Sequence, residues 1–122
     1  KLKIMCTNIE AISKTSQGEL NYCKGCKQFH FEFNNIYFEF TPEQFEQFKA
    51  YILFVEPDYW EHKYACANVK RKIPIPTLQD NLVLMFDRQE IKELKVLVSD
   101  KNKAVFDTLL NVDDIDYTYI VN

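Results

Sequence analysis

The sequence predicts an α+β domain in which antiparallel hairpins form a sheet and two amphipathic helices pack on one face of it. Aromatic and polar residues alternate on both sides of an Asn-Asn pair, which is typical of a hairpin. Two capping-box sequences are each followed by apolar residues three and four positions apart, which is typical of helices. An internal similarity without gaps relates the middle of the chain to its second half, so we expect a tandem ββα repeat.

Size and composition predict a single domain over residues 1–122. A chain of 122 residues with 47% apolar and 15% aromatic residues can bury its own core, which excludes intrinsic disorder. The formal charge of -3 offers no positive field to phosphates, so nucleic-acid binding is not expected. No apolar run approaches the roughly 20 residues that span a bilayer, and a signal-peptide pattern is lacking. We expect a cytoplasmic protein without membrane contact.

Residues 1–28 are predicted to form a first hairpin and a cysteine turn. Ile9 to Ser13 and Glu19 to Cys23 are its strands, on either side of a Thr-Ser-Gln-Gly turn. If the chain reverses near Ser16 and Gln17, the antiparallel register places Cys6 opposite Lys27, beside the cysteine turn.

A second hairpin begins the ββα unit of residues 29–54. The alternating segments FHFEF and IYFEF flank Asn34 and Asn35, and asparagine tolerates the positive φ that a type I′ turn requires. The predicted register makes one face wholly apolar, with the pairs Phe33/Ile36, Phe31/Phe38 and Phe29/Phe40. The other face has the pairs His30/Glu39 and Glu32/Tyr37.

Both helices are predicted from their first turns. Thr41 and Asp87 begin the capping boxes TPEQ and DRQE, in which each side chain can accept the free amides of the first turn. The buried stripes that follow are Phe45, Phe48 and Ile52 in one helix and Ile91, Leu94 and Val98 in the other.

The second unit covers residues 69–99 and begins less regularly than the first. Its first strand is predicted over Val69 to Thr77, where two prolines confine it to a sheet edge or a bulge. From Asn81 the sequence NLVLMFDRQEIKELKVLV matches NIYFEFTPEQFEQFKAYI, which starts at Asn35, 46 positions earlier. Duplication explains this match, and so does convergence on a strand followed by a capped helix.

The remaining segments are a connector over residues 55–68 and a C-terminal part over residues 100–122. The C-terminal part is predicted to contain a short helix over residues 103–110 and a last strand over residues 117–121. Asp113, Asp114 and Asp116 lack the spacing of a calcium loop, so a turn explains them.

The cysteines indicate a structural zinc site. Cys23 and Cys26 are two residues apart, and Gly25 between them would supply the left-handed backbone of a zinc knuckle. Cys6 is the third candidate ligand, and Cys66 or His62 of the connector could supply the fourth. His30 lies too far along its strand unless that strand starts late. Reduced cysteines without metal are the alternative interpretation. Thiol redox chemistry is less favoured, because the motif leads into a strand rather than opening a helix.

The connector and the segment after it predict a binding surface at Tyr59, Trp60, His62 and Arg71. Exposed aromatic rings beside polar groups are typical of recognition sites, although Trp60 and Tyr64 capping the core explains the same pattern. His62 and Cys66 would suit a hydrolase, but no orienting carboxylate can be named. The basic run of residues 70–72 suggests phosphate contacts and equally a solvated strand edge.

The stretch GELNYCKGC from Gly18 to Cys26, running into Phe33-Asn-Asn-Ile36, resembles a family of small bacterial proteins with no assigned function. The resemblance covers mainly residues 6–52 and implies that the cysteines act together. We therefore predict a non-enzymatic interaction or regulatory module. A zinc knuckle is an open hypothesis. The module would bind a protein partner or form a homodimer. The alternatives are a small enzyme using thiol redox or hydrolase chemistry, and a weak nucleic-acid-binding module.

Overall fold

The computed structural model describes residues 8–99. Within them the elements are, in order, β1 (Ile9–Lys14), β2 (Gly18–Cys23), β3 (Gln28–Phe33), β4 (Ile36–Phe40), α1 (Pro42–Phe54), α2 (Pro57–Lys63), β5 (Ile73–Pro76), β6 (Val83–Phe86) and α3 (Arg88–Val98). The predicted α+β class is confirmed. Cys6 and the predicted C-terminal helix and strand lie outside the described residues.

β1 to β4 form one antiparallel sheet in sequence order. The register of β3 and β4 is the predicted one, with Phe31 facing Phe38 and His30 facing Glu39. The turn differs from the predicted type I′ turn. Only one of its two asparagines, Asn34, has a positive φ, of 53°. A two-residue turn therefore sets this register without the two positive φ angles of type I′.

The first hairpin approaches α3 closely. It starts in the predicted register, with Lys14 facing Glu19, and a bulge between Ala11 and Ser13 then shifts the pairing by one residue. A Cβ on Gly18 would lie 2.5 Å from the Glu32 carbonyl oxygen and 2.9 Å from a methyl carbon of Leu97. Glycine is therefore required here because the Glu32 backbone of the neighbouring strand β3, and then Leu97 of α3, leave no room for a side chain.

One face of the four-stranded sheet carries the core, and α1 and α3 both pack on it as predicted. The Phe29 and Phe45 rings stack with centroids 4.5 Å apart, and Phe33 meets Phe86 edge to face at 5.9 Å. Phe31 is 1% exposed, and Phe38 packs against the same cluster. Aromatic side chains from both halves of the chain thus form a single core.

Both predicted capping boxes are confirmed. The Thr41 hydroxyl accepts from the Gln44 amide at 3.2 Å, and the Asp87 carboxylate accepts from the Glu90 amide at 2.8 Å. In each helix the third residue returns a bond to the amide of the cap. Lys95 of α3 also donates to the carbonyls of Ile52 and Leu53, at 3.0 Å each, and so caps the C-terminal end of α1.

β5 and β6 form a separate two-stranded sheet. The predicted strand over Val69 to Thr77 is too long, because pairing begins only at Ile73 and ends at Pro76. If the two hairpins were equivalent, the strand pairs of the second would be those of the first moved by 46 positions. The structure does not show this, because Phe33 faces Ile36 at the turn of the first hairpin, whereas the last strand pair of the second is Pro76 with Val83. The strand-to-helix halves correspond and the first strands do not, so the tandem repeat stays a prediction.

The connector contains a helix, α2, that its sequence did not predict. Pro57 occupies the first turn, but the cap residue Glu56 makes no side-chain capping bond. Arg88, at the start of α3, instead forms ion pairs with Asp58 and Glu61 of α2. Hydrogen bonds to Glu61 and Asp58 raise the pKa of Arg88. The same contacts link α2 to a distant part of the chain. Within residues 8–99, no helix combines the length and apolar character needed to cross a bilayer.

Candidate functional site

An apolar groove lies where α1, α2 and β5 meet. It encloses about 400 Å³. Its lining residues are Ala50, Tyr51, Phe54, Val55, Trp60, Pro74, Ile75 and Pro76, and none of these side chains is charged. The buried stripe of α1 faces the sheet, so Tyr51 and Phe54 fall on the outer side of this helix. We call these lining residues the aromatic groove.

The rings in and beside the aromatic groove are exposed, whereas residues 8–99 form a continuous core without them. Tyr51, Phe54 and Tyr59 are 43%, 71% and 53% exposed. Trp60 packs partly against the core and lies with its ring centroid 5.0 Å from that of Tyr59. The Lys63 ammonium is 5.1 Å from the centroid of the Trp60 ring, within reach of a cation–π interaction. Contiguous exposed apolar surface of this kind marks interaction sites on soluble proteins.

The aromatic groove also offers hydrogen-bond donors. Neither the Trp60 indole N–H nor the Tyr51 hydroxyl has a hydrogen-bond partner among residues 8–99, and neither is a buried unsatisfied group. Both therefore reach solvent from an apolar wall. A ligand that presents carbonyl oxygens and apolar rings together would match this lining.

A smaller groove of about 200 Å³ continues the surface beyond Tyr51 and Pro76, which line both grooves. Its apolar walls are Phe38, Phe40, Phe48, Leu78 and Leu82. Amide side chains lie among them, at Gln44, Gln47 and Gln79. The two grooves together form one continuous surface along the outer side of α1.

The structure separates the residues predicted to form a binding surface. Tyr59 and Trp60 are neighbours on α2, and His62 is exposed on the same helix without lining the aromatic groove. Arg71 lies in a different, polar cleft of about 780 Å³, beside Asn34 and Met85. There its guanidinium donates twice to the Glu90 carboxylate, at 2.9 Å each, and this bond raises the pKa of Arg71.

The cysteine turn has one feature of a metal knuckle, since the Cys26 amide donates to the Cys23 sulfur at 3.3 Å. The expected role of Gly25 is wrong, because Lys27 rather than Gly25 takes the left-handed conformation, at φ 57°. Cys66 is exposed, and within residues 8–99 no three His, Cys, Asp or Glu side chains converge on a metal-sized site. With Cys6 outside this range, zinc at Cys6, Cys23, Cys26 and Cys66 stays a prediction.

The second face of the four-stranded sheet holds a polar network around His30, which is only 1% exposed. Its Nδ1 lies 2.6 Å from the Tyr37 hydroxyl, which donates to Glu39 at 3.1 Å. On the neighbouring strand Asn21 donates to Glu19 at 2.7 Å. Buried polar groups need such partners, so we interpret this network as structural.

Sequence reasoning missed Tyr51, Phe54 and the prolines as parts of one surface. A signal for the first two was present, because they are apolar residues of α1 that fall off its Phe45, Phe48 and Ile52 stripe. No local signal placed Pro74 and Pro76 opposite them, because that juxtaposition arises from how β5 packs on α1 and α2.

Comparison with known protein families gives a match. A family model described as "Family of unknown function (DUF6686)" matches residues 5–122. This confirms the resemblance to an uncharacterised family that the sequence suggested. No curated protein matches the chain, and no solved structure does.

Proposed function

We propose that this chain, which belongs to the family of unknown function, is a non-enzymatic interaction module. We propose further that its aromatic groove binds an extended, proline-containing segment of a partner protein. The observation that carries the proposal is the groove itself, in which Tyr51, Phe54 and Trp60 remain accessible beside two prolines. The core of the described residues forms without Tyr51 and Phe54, so these rings are available for contacts at the surface.

The chemistry of the groove suits a polyproline II segment. Such a segment has no internal hydrogen bonds, and its prolines present apolar rings and carbonyl acceptors but no N–H groups. The groove supplies aromatic surface for the rings and the donors of Tyr51 and Trp60 for the carbonyls. Aromatic-lined grooves recognise preformed polyproline II segments at low entropic cost.

At the Val55 end of the groove the local charge favours a basic flank on the ligand, whereas the Lys63 ammonium lies at the Trp60 ring. Glu56 directly follows the lining residue Val55, is exposed and forms no ion pair among residues 8–99. The whole chain carries a formal charge of -3. A lysine or arginine beside the bound segment would therefore be attracted to this end of the groove.

Trp60 makes the proposal directly testable, because it is the only tryptophan in the chain and it lines the groove. We expect its fluorescence to change and saturate on titration with the synthetic peptide KPPLPPLPPR, with a Kd on the order of 0.1 mM. The acid-flanked peptide EPPLPPLPPE should bind severalfold more weakly because of charge. The flexible peptide KGSLGSLGSR should not saturate.

Two variants separate groove binding from adhesion to the surface in general. Phe54→Ser removes an exposed ring and should weaken KPPLPPLPPR binding about tenfold. Tyr51→Phe removes only a hydroxyl donor and should weaken it severalfold. Val69→Ser is the matched control, since Val69 is an exposed apolar residue outside the groove. Equal affinity for all three peptides, or an equal loss in the control, would contradict the proposal.

The predicted zinc is a separate proposal about what stabilises the module. It is supported by the amide-to-sulfur bond between Cys26 and Cys23. Elemental analysis of protein purified without added metal should then give about one zinc per chain. An unchanged melting temperature in the presence of chelator would contradict it. We also propose a reducing compartment such as the cytoplasm, which the exposed thiol of Cys66 supports.

A further inference from the structure

The helix that carries Trp60 has little apolar packing of its own. α2 is seven residues long, and none of its residues is buried. Within α2 only Pro57, Trp60 and Glu61 are partly covered, which leaves a single large apolar ring on its inner side. Isolated helices need about 12–15 residues to be even marginally stable in water, so contacts with the rest of the chain decide where α2 lies.

Neither end of α2 fixes its position. The cap residue Glu56 makes no side-chain capping bond. At the other end every residue from 62 to 71 is exposed, and the next fully buried side chain is that of Ile73 in β5. The position of α2 therefore depends on the contacts that its inner side makes.

The inner side of α2 is bound by Arg88, the first residue of α3. The Nε and Nη2 atoms of Arg88 both donate to Oε1 of Glu61, at 3.1 and 2.6 Å. Nη2 also donates to Asp58, which lies one helical turn before Glu61. Glu61 is the stronger partner, because it accepts twice and is 39% exposed, whereas Asp58 is 92% exposed.

The contacts of Arg88 also determine where the Trp60 ring lies. Glu61 follows Trp60 directly, so fixing one fixes the backbone of the other. The ring has close neighbours in Tyr59, Lys63 and Tyr64, but these belong to α2 or to its C-terminal cap and would move with it. Partial packing on the core and the ion pairs of Arg88 are therefore what hold the ring against α1 and β5.

We propose that Arg88 is a positioning residue of the aromatic groove, which keeps Trp60 in the groove wall by binding Glu61 and Asp58. Loss of these contacts lets α2 move away from β5 and opens the groove. A preformed wall lowers the ordering cost of binding, so the opened groove binds its ligand more weakly. This last consequence rests on the proposed function, whereas the position of Trp60 does not.

The first experiment examines the protein without ligand, by acrylamide quenching of Trp60 fluorescence. Arg88→Met should raise the quenching constant about twofold, because α2 no longer holds the ring against the core. Arg88→Lys should raise it less, since lysine keeps the charge but not the planar fork of donors. Hydrogen exchange of the Trp60 and Tyr64 amides, which donate within this helix, should become about tenfold faster in Arg88→Met.

Two further variants are matched to Arg88→Met. Glu61→Gln removes the partner's charge, and it should release Trp60 as Arg88→Met does, while the two changes together should do no more than either alone. Because Glu61 is partly exposed, this variant tests the same contact in a folded domain even if Arg88→Met fails to fold. Lys24→Met is the control, since the Lys24–Glu10 ion pair has a similar exposure and lies outside both grooves.

The second experiment repeats the titration with KPPLPPLPPR. Its Kd should rise about fivefold in Arg88→Met and in Glu61→Gln, and should not change in Lys24→Met. The first two variants change the net charge in opposite directions, so weakening in both reports the position of Trp60 rather than charge.

The outcomes separate this proposal from the proposed function. Release of Trp60 in both variants, with no peptide binding by wild type, would support the role of Arg88 and refute peptide recognition. Unchanged quenching and exchange in Arg88→Met and Glu61→Gln would overturn the role of Arg88. An equal change in Lys24→Met, or peptide binding of the same strength in wild type and both variants, would overturn it as well.

Discussion

The two ββα units present their apolar residues differently, although their helices begin at equivalent positions. In the first unit β1 and β2 extend the hairpin to four strands, and the helix leaves Tyr51 43% exposed. In the second unit the equivalent helical residue, Leu97, is fully buried against β2. There it is the strand β6 that exposes apolar side chains. Each unit therefore leaves one apolar surface uncovered, on its helix in one case and on its strand in the other.

This difference shows that the local pattern sets which side chains are apolar, while neighbouring elements decide which of them are buried. The close approach of α3 to Gly18 covers Leu97, and no described element covers Tyr51 and Phe54 in the same way. The proposed recognition site follows from this asymmetry between two otherwise similar units.

The largest expected effects test whether the units share one core. Phe45→Ala and Ile91→Ala alter equivalent helix positions, and both side chains are fully buried. Each should lower the free energy of unfolding by about 2–5 kcal/mol. Because the core is continuous, urea unfolding followed by Trp60 fluorescence and by far-UV circular dichroism should give coincident transitions for both variants. Separate transitions would show that the units unfold independently.

A smaller effect should distinguish the two helix caps. Glu90 both returns the capping bond and binds Arg71, whereas Gln44 only returns the capping bond. Glu90→Gln should therefore lower the free energy of unfolding in urea by about 1–2 kcal/mol, and Gln44→Ala should lower it by about half as much.

The control for that comparison is Arg71→Met. If the pair with Arg71 accounts for the larger effect, adding Glu90→Gln to Arg71→Met should lower the free energy of unfolding only slightly further. Equal costs of Glu90→Gln with and without Arg71 would contradict the assignment.

The smallest expected effect is the pH dependence of the contact between the helices. Burial lowers the pKa of Lys95, whose ammonium donates to the end of α1. In the pH interval just below the ordinary lysine value, the unfolded chain therefore binds more protons than the folded one. The free energy of unfolding of wild type relative to Lys95→Met should rise with pH through this interval and level off above it. Urea unfolding from neutral to alkaline pH measures this, and a flat or falling difference would contradict it.

The parts of the fold that were predictable from sequence are those set by local chemistry. The β3–β4 register follows from alternation around a two-residue turn, and both helix starts follow from capping boxes. α2 was missed because its cap residue makes no capping bond and its anchor, Arg88, is distant in sequence. Pattern reasoning cannot find a helix held in place by tertiary ion pairs.

The candidate site was predictable only in part for the same reason. Trp60 and Tyr59 are conspicuous in the sequence, and both lie at the candidate surface. Arg71 was grouped with them by proximity in sequence, yet it pairs with Glu90 in another cleft. The prolines of β5 predicted an edge strand or a bulge, and only the fold showed that they line the groove.

The most direct test of the central claim is a titration of isotope-labelled full-length protein with KPPLPPLPPR, followed by amide and indole NMR shifts at fixed protein concentration. We expect saturable shifts at the Trp60 indole and at the amides of Tyr51 and Phe54, with Val83 and Met85 unmoved. Shifts concentrated in β6, or shifts spread over the whole domain without saturation, would contradict recognition by the aromatic groove.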